Sequence, residues 1–164
     1  MHYTGLLYRA HNPRWARDPL SGEGAARYGG RFNRIGQPAL YTSLAPETAL
    51  REANQVGTLQ PTVLVAYQAD IGPLLDGRSA AALGAFDMTP ETLADTSWRD
   101  RMLAREIVPT HELAQAAIRE RYQGLIVPSF ARGAPSGALN AVLWAWDGCL
   151  TLVDDDDRLG LREN

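Results

Sequence analysis

The sequence predicts an α+β fold, one domain spanning residues 1–164, with a mostly antiparallel or split sheet and flanking helices. Three observations predict it. TVLVAYQADI, residues 62–71, is rich in β-branched residues and reads as a strand. Pro46–Val56 and Thr110–Tyr122 carry helical signals: Pro46 suits a first turn, Glu47 the positive end, Gly57 a stop, and Thr110 a cap. Strands and helices then mix without regular βαβ alternation, and no internal repeat or linker divides the chain.

The remaining elements follow in order. Residues 5–10, GLLYRA, read as a short strand. Residues 11–38 hold many Gly, Pro, Arg and Asn and read as a long loop with brief structure, of the kind that carries function. PALYTS, residues 38–43, reads as a strand, and the helix after it carries Glu47 and Arg51 as an exposed pair four residues apart. Residues 73–96 suggest one or two short helices, and 98–103 another. Leu113, Ala117 and Ile118 share one face of the 110–122 helix, with Gly124 after its end. GLIVPS, residues 124–129, reads as a buried strand, and residues 141–147 and 150–154 read as a hairpin about Gly148.

Composition excludes several classes. The net charge of −3 gives no bulk attraction to nucleic acid. The single cysteine, Cys149, rules out an internal disulfide and a cysteine metal site. No apolar run approaches a membrane span, and MHYTGLLYRAHN lacks the shape of a signal peptide, so a cytoplasmic location is expected. All sixteen basic residues are arginine, and six of them fall within residues 1–34. The acidic run Asp154–Asp157 lies at the other end, in a segment (154–164) read as a solvated tail.

The candidate chemistry lies in YGGRFNRIGQPALYTSLAPETALRE, residues 28–52. On a helix from Pro46, Glu52 shares the small apolar stripe with Ala45, Ala49 and Val56, away from Glu47 and Arg51. A carboxylate there is either satisfied by a buried arginine or functional. Arg31 follows Gly29 and Gly30, which let the backbone approach a ligand, and its guanidinium fork suits a phosphate. Tyr41 offers either a stacking face for a heterocycle or plain core packing. Arg9 ends the first strand and reads as a second phosphate contact or a surface charge. Ser129 ends the GLIVPS strand without a nucleophile elbow around it, and Asn140 precedes an apolar run. His11 and His111 have no metal-ligand spacing, and no dinucleotide or P-loop glycine motif is present. Trp98, Trp144 and Trp146 read as core or half-core residues.

Taken together, LYRAHNPRWARDPLSGEGAARYGGRFNRIGQPALYTSLAPETALREA resembles the first half of the RES domain, and GLIVPSFARGAPSGALNAVLW resembles its second signature. The resemblance runs from about Tyr8 to Asp147, with Phe32 where tryptophan is commonest; it carries no assignment over residues 73–105. It implies a fold similar to diphtheria-type ADP-ribosyltransferases and a bacterial toxin paired with a Xre-like DNA-binding antitoxin that blocks the active site. It implies consumption of NAD⁺ as a substrate, with no metal and no recycled cofactor. The ADP-ribose acceptor would be a host protein, phosphate or water. Catalytic roles would fall on Arg31, Tyr41 and Glu52. NAD⁺ contacts would fall on Arg9, Gly30, Arg31, Tyr41, Ser43, Ser129 and Asn140. Two other classes use the same residues: a non-catalytic module binding a nucleotide, and a protein that acts only by docking a partner.

Overall fold

A computed structural model describes residues 1–54 and 61–153. Its seven strands are β1 (Tyr3–His11), β2 (Leu40–Ser43), β3 (Val63–Ile71), β4 (Leu74–Asp76), β5 (Gly124–Pro128), β6 (Leu139–Leu143) and β7 (Leu150–Leu152). They form one curled sheet in the order β4-β5-β6-β2-β1-β3-β7, in which only β4 and β5 run parallel. The helices are α1 (Glu23–Tyr28), α2 (Pro46–Ala53), α3 (Ala80–Gly84), α4 (Pro90–Ala94), α5 (Trp98–Leu103) and α6 (Pro109–Arg119), with a single 3-10 turn at Pro13–Trp15. The α+β class and the mostly antiparallel sheet are as the sequence predicts.

Each face of the sheet carries its own apolar cluster, as alternation along the strands requires. Leu7, Leu40, Tyr67, Ile71, Ile126 and Leu143 pack on one side. On the other, Leu75, Leu125, Val127 and Val142 pack against Leu83 of α3, Leu93 of α4, and Leu113 and Ala117 of α6. Thus α6 uses the face that its periodicity predicts.

The seam between β1 and β2 positions the site. Along β1, every residue from Tyr3 to His11 pairs with β3. Along β2, every residue from Leu40 to Ser43 pairs with β6. Yet β1 and β2 share one register pair, Tyr8↔Ser43. Past that pair the two halves of the sheet part, and Arg9–His11 diverge from Leu40–Thr42. The sheet is continuous in pairing order but split in shape, so both sequence expectations hold in part.

Several local expectations are corrected. Residues 141–147 and 150–154 do not form a hairpin. β6 has both edges occupied, by β5 and β2, so it offers β7 no partner. β7 pairs instead with the free edge of β3, Tyr67↔Leu152. Thr110 is not the α6 cap; the cap position is Val108, and Thr110 lies inside the first turn. Gly124 does not end that helix but opens β5, where a Cβ would lie 2.5 Å from the Val142 carbonyl oxygen. β4 was not anticipated, because three residues are too few to show a period. Glu47 and Arg51 are both exposed, but they form no ion pair among the described residues. Val56, Gly57 and the acidic tail lie outside the described residues.

Candidate active site

The split between β1 and β2 opens a cleft of about 1010 Å³. That is ample for a nucleotide-sized ligand, since ligand sites commonly measure roughly 300–1,000 Å³. Arg9 and His11 line it from β1, Tyr41 and Ser43 from β2, Glu52 from α2, and Asn140 from β6. Gly30 and Arg31 line it from the loop after α1, and Trp98 and Arg99 from α5. Ser129, just past β5, reaches the same place through Glu52. Residues scattered over more than a hundred positions therefore meet at one seam.

Glu52 is built into a hydrogen-bond chain. Its Oε1 accepts from Ser129 Oγ at 2.6 Å and from Asn140 Nδ2 at 2.5 Å. Asn140 is oriented in turn by Ser43, whose Oγ donates to Asn140 Oδ1 at 2.7 Å. Ser43 and Asn140 are direct cross-strand partners on β2 and β6. Ser129 also accepts from the Ala131 N–H at 3.3 Å. Since a carboxylate can only accept, Glu52 takes the amide N–H end of Asn140, and the Ser43 hydroxyl donates to the amide oxygen left on the other side. Ser43, Ser129 and Asn140, expected as ligand contacts, are thus placed as the groups that hold Glu52.

Arg31 lines the same cleft, within reach of the Glu52 charge. Its Nη1 donates to the carbonyls of Leu93 and Asp95, both at 2.9 Å, and its guanidinium carbon lies 4.6 Å from the Phe130 ring centre. Burial pulls the Arg31 pKa down, and the charges of Glu52, Asp95 and Tyr41 push it back up. An arginine stays protonated under such opposing influences. Its Nε and Nη2 join no hydrogen bond among the described residues, so the fork keeps donors for a ligand.

The loop carrying Arg31 is pinned through three successive carbonyls. Gly30 O accepts from His111 Nε2 at 2.8 Å, Arg31 O from Thr110 Oγ1 at 2.5 Å, and Phe32 O from Trp144 Nε1 at 2.9 Å. Asn33, fully buried, donates through Nδ2 to Ala25 O at 2.9 Å and Gln37 O at 2.8 Å. Sequence reasoning missed these partners. Each is an ordinary helix, loop or core residue by type, and only contact with the loop gives it a task. The short polar run at 110–111, buried at a helix start, is the one signal that was there to find.

Tyr41 and Gly30 meet at the Tyr41 hydroxyl. The Tyr41 ring is half-buried along the cleft, while its hydroxyl end is buried. That hydroxyl donates to Asn33 Oδ1 at 2.8 Å and accepts from the Phe32 N–H at 2.9 Å. Burial raises its pKa well above the usual tyrosine range, against smaller opposing effects from the Phe32 N–H and Arg31. It is therefore a neutral phenol with both roles filled. Gly29 has φ +70°, as a glycine turn expects, but Gly30 is glycine for want of space. A Cβ there would lie 2.3 Å from Tyr41 Oη and 2.6 Å from Asn33 Oδ1.

Arg9 lines the cleft with one nitrogen already engaged: Nη1 donates to Pro19 O at 3.1 Å and Ser21 O at 3.0 Å. A smaller hollow of about 360 Å³, bordered by Arg34, Met102, Ile107 and His111, contains none of the expected site residues.

The family model for the RES domain matches residues 6–159. Among solved structures, a chain of the crystal structure of the M. tuberculosis MbcT–MbcA toxin–antitoxin complex matches with a TM-score of 0.66 at 21% sequence identity. The match covers 93% of this chain and 83% of that one. No curated protein matches the sequence. The family match spans both halves of the split sheet and every residue of the Glu52 and Arg31 networks, and the chain belongs to the RES domain family.

Proposed function

We propose that this protein consumes NAD⁺ by cleaving the bond between nicotinamide and ribose. The observation that carries the reading is Glu52, fixed by Ser129 and Asn140 in a large cleft that the Arg31 cation also lines. The two are held by separate hydrogen-bond partners and line the same cleft.

The chemistry suits this arrangement. As the glycosidic C–N bond breaks, its electron pair leaves with nicotinamide, which departs neutral, and positive charge builds on the ribose. Glu52 stabilises that charge, and its hydrogen bonds set its position before reaction begins. A nucleophile then bonds to the ribose carbon and gives up its proton. Arg31 holds the diphosphate, and the face of Tyr41 packs against the nicotinamide ring. No general acid is required, because the leaving group needs no proton. The acceptor of ADP-ribose is water, phosphate or a protein side chain.

We further propose a bacterial cytoplasmic toxin, acting as a single domain, with a Xre-like DNA-binding antitoxin as partner. The similar fold in the MbcT–MbcA toxin–antitoxin complex supports this. An acidic or carboxylate-bearing segment of the antitoxin would enter the cleft beside Arg31. A structure of the complex with the cleft open would refute that placement.

The direct test is incubation of purified protein with NAD⁺, following free nicotinamide, beside Glu52→Gln. Loss of turnover by about 100-fold or more is expected for the variant. Unchanged turnover would remove Glu52 from its role. NAD⁺ binding without release of nicotinamide by the wild type, with or without protein acceptors, would make the protein a binding module.

A further inference from the structure

Arg99 lines the same cleft as Arg31, on a segment to which the sequence assigned no role. It is exposed and, among the described residues, forms no hydrogen bond or ion pair. Its guanidinium carbon instead lies 5.0 Å from the Trp98 ring centre, while that of Arg31 lies 5.9 Å from the same centre. One aromatic therefore carries two cations. Stacking fixes a guanidinium plane without using its N–H donors, so a stacked arginine keeps its fork for an anion.

The charges of Glu52 and Asp95 act on Arg31, but neither Arg31 nor Arg99 forms an ion pair among the described residues. Asp95 accepts from the Ser97 N–H at 2.9 Å and the Ser97 hydroxyl at 2.8 Å, and Asp100 forms no ion pair among the described residues. Arg9, the expected second phosphate contact, differs from both. Its bonds to Pro19 O and Ser21 O tie the loop after β1 back to the strand.

We propose that Arg31, set over the rings of Phe130 and Trp98, and Arg99, set over Trp98, form a two-arginine clamp for the diphosphate of the dinucleotide, and that Arg9 is a structural residue. This rests on the NAD⁺ reading above and names the residues of its anionic subsite. A diphosphate between them would receive a charge-assisted hydrogen bond from each side.

The test is calorimetric titration with ADP-ribose and, separately, with adenosine, which lacks the diphosphate. Arg99→Ala is expected to weaken ADP-ribose binding about tenfold and leave adenosine binding unchanged. Arg99→Lys, which restores the charge but not the planar fork, is expected to recover only part of the lost affinity. Arg105→Ala, an equal change of charge beside the smaller hollow, is expected to have no effect. Equal weakening of both ligands by Arg99→Ala would mean disturbed packing of Trp98 and would overturn the clamp. So would an ADP-ribose affinity within twofold of the wild type. If the wild type binds no ADP-ribose, the dinucleotide reading falls as well. If it cleaves NAD⁺ and Arg99→Ala keeps the same KM, the clamp alone falls.

Discussion

Asn140 Nδ2 donates to Glu52 Oε1 at 2.5 Å, although 88 positions separate the two residues. The amide nitrogen faces the carboxylate because a carboxylate can only accept, and the Ser43 hydroxyl adapts by donating to the amide oxygen. Removing the donor should misplace the charge without emptying the cleft. We expect Asn140→Ala to lower kcat for nicotinamide release by about 10–100-fold with KM within a few fold. Ser129→Ala should act in the same direction and more weakly, because Asn140 still holds the same oxygen. Steady-state kinetics decide it; a rise in KM with kcat intact would instead make these residues ligand contacts.

Tyr41 separates ring from hydroxyl. Tyr41→Phe retains the ring but leaves the Phe32 N–H and Asn33 Oδ1 without their partner. A loss of about 1–3 kcal/mol in unfolding free energy is expected. Denaturant unfolding checks this, and a variant as stable as the parent would show that the hydroxyl does not brace the loop.

Gly30→Ala tests the space argument. The added methyl would meet Tyr41 Oη and Asn33 Oδ1, both held by buried hydrogen bonds, so the loop must shift. We expect a cost of about 1–3 kcal/mol and loss of most turnover. Gly84→Ala is the control: nothing lies within 4 Å of its Cβ position, and it sits at a helix end. It should be neutral or slightly stabilising. Similar melting curves for the two variants would contradict the reading.

The loop carrying Arg31 should also respond to α6. Thr110→Val strands the Arg31 carbonyl and is expected to cost about 1–3 kcal/mol, and to raise KM for NAD⁺ more than it lowers kcat. An unchanged KM would show that Arg31 does not depend on this bond for its place.

His111 adds a pH signature. Burial lowers its pKa, partly countered by the bond to the Gly30 carbonyl. The folded chain therefore binds that proton at lower pH than the unfolded chain does. This contribution to stability is complete above roughly pH 6.5 and is lost as pH falls below it. His11 is lowered as well, chiefly by burial, so His111→Gln should reduce the acid loss rather than abolish it. Unfolding curves between pH 7 and 5 measure this. Identical acid dependence in variant and parent would refute it.

Much of the site was legible because its residues are costly where they stand. A carboxylate on a small apolar helix stripe and an arginine behind two glycines mark themselves by type and spacing. Their partners do not. Thr110 reads as a helix cap and Trp144 as core, and each is an ordinary choice for that reading. The clamp on Gly30, Arg31 and Phe32 appears only when α6 and the residue after β6 pack against the loop. Asn140 and Ser43 were individually suspected, but their relay depends on strand register.

The sequence by itself determined most of the longer elements, the α+β class and the candidate residues Arg31, Tyr41 and Glu52. Those follow from local periodicity, turn chemistry and the cost of burying charge, which act over a few neighbouring residues. The tertiary structure alone decided how the sheet divides, where β7 pairs, and which group faces which. Strand order and register are set by competition for open edges between distant segments. β6 had no open edge for β7, and β1 and β2 met at only one register pair. That parting of the sheet is what makes the cleft.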